Sequence, residues 1–183
     1  NHRIQKFDGS GSLLLKFGTN GSGNGQFIRP SGVAVDAAGN IYVVDENHRV
    51  QKFDASGTYL TSWGSFGTGD GQFNTPRDIL FDSAGNIYVA DTGNHRIQKF
   101  TSDGVFISQW GGYGTANGQF NNPWGIVALG SDEIYVADTD NNRVQRFVLS
   151  GGAMTYDSQF GSQGMGNGEF SFYGALQQAS LAV

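Results

Sequence analysis

The 183-residue chain holds 29 glycines, 13% aromatic residues and no cysteine, at a net charge of −5. Without cysteine, disulfides, Cys-based zinc sites and thiol catalysis are excluded, and glycine lacks the every-third-residue period of collagen. The 11 Lys and Arg residues are scattered, which argues against the clustered phosphate contacts of a nucleic-acid partner, and no apolar run is long enough for a membrane-spanning helix.

The predicted elements are all strands. Arg3–Phe7 and Leu13–Phe17 come first and correspond to the third and fourth strands of a repeating unit. The first complete unit then reads Gly32–Asp36, Ile41–Asp45, Arg49–Phe53 and Thr58–Trp63, followed by a glycine-rich connection over Gly64–Pro76. Short β-branched and aromatic runs between Gly, Asn, Asp and Ser clusters are strand signals. The unit recurs. Gly-Gln-Phe starts at residues 25, 71 and 118, and Gly168-Glu169-Phe170 is a fourth version, so the spacings are 46, 47 and 50. His2–Phe7 returns as His48–Phe53, His95–Phe100 and Asn142–Phe147, and Ile41–Asp45 returns as Ile87–Asp91 and Ile134–Asp138. These markers set repeat units at 1–24 (partial), 25–70, 71–117, 118–167 and 168–183 (partial). The Asn-Gly and Asp-Gly pairs ending at Gly25, Gly71, Gly118 and Gly168 suit left-handed turns. The last strand falls at Leu181–Val183 or near Leu176.

Both faces of these strands are apolar. Ile41 and Val43 oppose Tyr42 and Val44, and Phe106 and Trp110 oppose Val105 and Ile107. A lone four-stranded sheet leaves one such face bare. Radial stacking between like sheets buries both, which predicts an all-β propeller of four-stranded antiparallel blades.

Pro30-Ser31-Gly32-Val33-Ala34-Val35-Asp36, then Gly85–Asp91, then Asn94-His95-Arg96-Ile97-Gln98-Lys99-Phe100 resemble the NHL repeat, over essentially the whole chain. Asn-His-Arg fills the place of its Asn-His-Leu element at 1–3, 47–49 and 94–96. The resemblance implies a mostly six-bladed family of interaction platforms for protein or, in some animal members, RNA. A minority of similar propellers are lyases or lactonases. The chain covers about four blades and opens in mid-repeat, so the expected parent is a longer, six-bladed protein. The other expectation is a small ring, or an assembly completed by further copies.

No constellation makes a complete catalytic set. His2, His48 and His95 lie on the hairpins of successive blades, too far apart to share a metal, and read as turn residues. Asp45/Arg49, Asp91/Arg96 and Asp138/Arg143 read as structural pairs tying the second and third strands. Asp36 and Asp82 read as turn caps, because one Asp per turn does not supply the oxygens calcium needs. No cofactor is implied.

Positions constant in every repeat serve the scaffold, while variable ones at the strand entrances are candidates for recognition. Ser31, Arg77 and Trp124 follow Pro30, Pro76 and Pro123, and Asp78 replaces the Gly of 32 and 125. Glu46 and Asp140 vary at the entrance to the third strand. The resulting expectation is a non-catalytic interaction or structural module that binds a protein or glycan through one propeller face. Two alternatives are a lyase- or lactonase-like enzyme and a subunit of an extracellular filament that self-assembles through open blade edges. A surface rich in Ser, Thr, Asn, Gln and Gly leans toward an extracellular or cell-surface setting. Asn20-Gly21-Ser22 matches an N-glycosylation acceptor in an exposed loop.

Overall fold

The computed structural model describes residues 1–129, 132–151 and 153–171. Strands β1 (Ile4–Phe7) and β2 (Leu13–Phe17) form a two-stranded antiparallel sheet, and β3 (Thr19–Asn20) pairs in parallel with β4 (Gln26–Phe27). Three four-stranded antiparallel blades follow. The first holds β5 (Gly32–Val35), β6 (Ile41–Asp45), β7 (Arg49–Phe53) and β8 (Tyr59–Trp63). The second holds β9 (Pro76–Phe81), β10 (Ile87–Asp91), β11 (Arg96–Phe100) and β12 (Phe106–Gly111). The third holds β13 (Pro123–Leu129), β14 (Glu133–Asp138), β15 (Arg143–Ser150) and β16 (Ala153–Phe160). The molecule is therefore part of a β-propeller of about four blades. Both expected placements of the last strand, Leu181–Val183 and Leu176, lie outside the described residues.

The cores lie between blades. Tyr42, Val44 and Val50 of the first blade pack with Ile79, Ile87, Val89 and Phe100 of the second, and Phe73 of the connection joins them. Tyr88, Ala90 and Ile97 pack likewise with Ile126, Ile134, Val136 and Phe147. Strands β6 and β10 are buried along their whole length, as both apolar faces require. The outermost strand departs from this. β12 alternates, and Val105 and Ile107 face solvent, because radially stacked sheets splay apart toward their outer edge.

Several boundaries differ from the sequence reading: β1 begins at Ile4, β8 at Tyr59, and β9 already takes in Pro76. β5 stops at Val35 because Asp36 turns inward to cap the hairpin. Its carboxylate accepts the N–H groups of Ala38 and Asn40, and the Tyr42 hydroxyl donates to it at 3.2 Å. Asp82 repeats this with Ala84, Asn86 and Tyr88. Burial pushes the Tyr88 hydroxyl well up, and the Asp82 charge adds to it. The hairpin between second and third strands also varies. In the second and third blades it is a 3-10 turn, Thr92–Asn94 and Thr139–Asn141, where the first blade has one residue fewer.

The glycine-rich connections are ordered by parallel bridges, Phe66 to Phe73 and Tyr113 to Phe120. Gly64, at φ +101, lies against the Phe73 ring, where an added Cβ would fall 2.6 Å from a ring carbon. Only glycine suits that backbone and that contact. Among the described residues, no helix is long and apolar enough to cross a membrane.

Candidate functional site

Each connection ends in a strand entrance clamped from two sides. The Asn74 N–H donates to Asp91 of its own blade at 2.7 Å, and the Thr75 N–H donates to His48 Nδ1 of the preceding blade at 3.0 Å. Asn121 and Asn122 repeat the pattern with Asp138 (2.6 Å) and His95 (3.1 Å). The recurrent pairs complete the clamp. Arg96 Nε donates to Asp91 at 2.7 Å, and its other nitrogens donate to the carbonyls of Thr68, Gly69 and Gln72 in the connection. Arg143 does the same with Asp138 at 2.6 Å. In the shorter hairpin of the first blade, Arg49 Nε sits 3.4 Å from Asp45. The sequence reading of these residues as structural pairs, and of the histidines as turn residues, agrees with this geometry.

The clamped entrances bring candidate residues from three blades together. Arg77 Nη1 donates to Glu46 at 2.9 Å, and the Arg77 guanidinium lies 4.7 Å from the centre of the Trp124 ring. Glu46 is on the first blade's hairpin, Arg77 on β9 and Trp124 on β13. A guanidinium over an indole is worth about 0.5–2 kcal/mol, the more so as water is excluded. Arg77 Nε is buried with no hydrogen-bond partner among the described residues, so the stack and the Glu46 contact hold the side chain.

Ser31 and Asp78 flank this stack and join neighbouring inner strands. The Ser31 hydroxyl donates to the Pro76 carbonyl at 3.1 Å. Asp78 accepts from the N–H of Ile79 at 2.9 Å and from that of Ile126 at 3.0 Å. Burial pushes the Asp78 carboxyl up, against these two hydrogen bonds. Gly32 has a packing reason: a Cβ there would fall 2.8 Å from the Asp78 Cα. Asp140 sits apart from the stack and accepts from the Asn122 side chain. Arg29 is a residue the sequence reading missed. It approaches Glu46 at 3.5 Å from the other side. It holds the same repeat position as Thr75 and Asn122, so comparing that column would have singled it out.

The family model for the NHL repeat matches residues 27–53, 73–100 and 120–147. This chain is an NHL-repeat propeller protein. No curated protein matches it. A streptogramin B lyase structure is 19% identical, with a TM-score of 0.61 over 85% of this chain and 47% of that one. Virginiamycin B lyase from Staphylococcus aureus is 18% identical, at 0.52 over 69% and 40%. A functionally unknown protein from Desulfotomaculum acetoxidans is 16% identical, at 0.62 over 89% and 50%. The NHL chain spans half or less of each, and at such identities the likeness shows the fold alone.

Proposed function

We propose that this NHL chain is a non-catalytic interaction module that binds a protein or glycan partner through the face carrying Glu46, Arg77 and Trp124. The observation behind it is the Arg77–Trp124 stack, built from positions that vary between otherwise uniform repeats. Nothing in the scaffold pattern requires Arg or Trp there, since Ser31 serves in the first blade. Arg and Trp are the residues that most often dominate binding energy. Ser31 and Asp78 supply the polar surround, and Asp140 lies apart on the third blade's hairpin.

The test screens the chain against an array of defined glycans and a displayed peptide library, beside Arg77→Ala, Trp124→Ala and an Asp54→Ala control on a remote turn. The ligands found with the wild type should weaken at least tenfold, about 1.4 kcal/mol, with the first two variants and bind the control unchanged. Ligands retained by all three variants would remove the site assignment.

A second reading is a lyase, the class of the streptogramin B lyase whose fold this chain shares in part. Turnover of a streptogramin B by the purified chain would establish it, and no turnover would set it aside. A filament subunit is the third, tested by the concentration dependence of sedimentation.

A further inference from the structure

The two strand entrances that carry Arg77 and Trp124 share an unusual backbone. Thr75 and Asn122, each followed by proline, have φ of +47 and +52, and Arg29, before Pro30 at the first entrance, shares this at +44 with its N–H 3.3 Å from His2 Nδ1. For the β-branched Thr75 this is a genuine outlier, whereas Asn122 is a residue that tolerates it, and at both a following proline disfavours helical conformations further. Such strain persists only where surrounding contacts enforce it, and it gathers at binding sites and switches. The contact that bears on both residues is an imidazole. His48 Nδ1 accepts from the Thr75 N–H at 3.0 Å, and His95 Nδ1 accepts from the Asn122 N–H at 3.1 Å. An Nδ1 that accepts a hydrogen bond carries no proton, so the network assigns both rings as neutral with the proton on Nε2. A ring from the connection covers each: Phe66 at 5.0 Å from His48, and Tyr113 at 5.0 Å from His95.

We propose that His48 and His95 are positioning residues of this face, whose neutral rings hold Arg77 and Trp124 in place and whose protonation releases both strand entrances. The inference builds on the reading of this face as the binding surface. A second proton on Nδ1 sets N–H against N–H, so the hydrogen bond is lost and the left-handed residue is free to relax. Arg77 and Trp124 lie two residues beyond the released amides. Imidazole is the side chain that ordinarily changes charge between about pH 5 and 8.

The other ionisable groups around these rings are committed elsewhere. Near His48, Asp45 approaches Arg49 at 3.4 Å, and Glu46 holds Arg77 at 2.9 Å. Near His95, Asp91 holds Arg96 at 2.7 Å, Asp140 holds the Asn122 side chain, and the Tyr113 ring meets the imidazole edge-on.

The test needs no partner. Amide hydrogen exchange of the isotopically labelled chain is followed from about pH 8 to 5, corrected for intrinsic rate, with the Phe73 amide as internal reference because it donates to the Ser65 carbonyl. The Thr75 and Asn122 amides should lose roughly fivefold in protection on acidification while Phe73 does not, as expected for one hydrogen bond. His48→Asn with His95→Asn keeps an acceptor near the Nδ1 position, tolerates the left-handed backbone and does not titrate. That variant should hold its protection across the range. Equal protection at both pH extremes in the wild type, or an unchanged pH response in the variant, would overturn the proposal. Neither outcome touches whether Arg77 and Trp124 bind a ligand, which the array experiment decides separately.

Discussion

At the scale of single residues, two aspartates pull stability in opposite directions with pH. Burial alone would raise the Asp82 carboxyl, but the Asn86 side chain and backbone and the Tyr88 hydroxyl outweigh it and hold the group below its ordinary value. Its contribution is present above the unfolded carboxylate value and is lost as pH falls through the lower, folded one. Asp78 is raised by burial. Its folded form prefers the proton, so its contribution is present in acid and is lost as pH rises from the unfolded value through the raised one. In urea titrations across the acid range, Asp82→Asn should be weaker than wild type at neutral pH and flatter below. Asp78→Asn should remove the opposing slope. Identical pH profiles for both variants would contradict these assignments. The buried pairs give a larger effect. Asp91 and Arg96 are almost fully enclosed, so Asp91→Ala strands a guanidinium and should cost about 3–5 kcal/mol by denaturant unfolding. A cost below about 1 kcal/mol would place the pair among exposed ones.

At the scale of elements, strand identity was legible and turn detail was not. Ile41–Asp45 and Arg49–Phe53 were readable to the residue because the pleat alternates, apolar patterning is strong and the repeat supplies independent copies. The 3-10 turns at Thr92–Asn94 and Thr139–Asn141 were not. A single extra residue in the hairpin produces them, and the repeat spacing of 47 against 46 shows that residue but not the turn it forms. Its consequence is energetic: Arg96 and Arg143 reach their aspartates at 2.7 and 2.6 Å, but Arg49 Nε stops at 3.4 Å from Asp45. Inserting a Gly between Glu46 and Asn47 should lengthen the first hairpin to match and close that pair. The expected gain in thermal midpoint is roughly 2–4 °C for about 1 kcal/mol in a chain of this size. No gain, or a loss, would mean that the short hairpin already sits at its optimum. The site was half legible for a related reason. Variation against a repeat background singled out Arg77, Trp124 and Glu46, and the fold brings them into contact. The left-handed Thr75 and Asn122 were hidden, because nothing in a Thr-Pro or Asn-Pro pair announces a positive φ.

At the scale of the molecule, each blade is an incomplete unit that its neighbours finish. Tyr42 packs across to Phe81 at 4.8 Å between ring centres, and the Trp63 ring reaches Phe100 at 6.1 Å. The cores belong to blade pairs, so stability follows nearest-neighbour contacts, as in other repeat arrays. That architecture leaves the strand entrances free to vary, since the hairpin aspartates, arginines and histidines hold their backbone from outside. Those entrances form the proposed recognition face. The most direct measurement is an amide chemical-shift map of the labelled chain, titrated with the first ligand that the array or library returns. The expected shifts cluster at Glu46, Arg77 and Trp124 and at the adjoining entrance residues of all three blades. Shifts confined to the outer strands β8 and β12, or to the Asp36 and Asp82 turns at the opposite end, would contradict it.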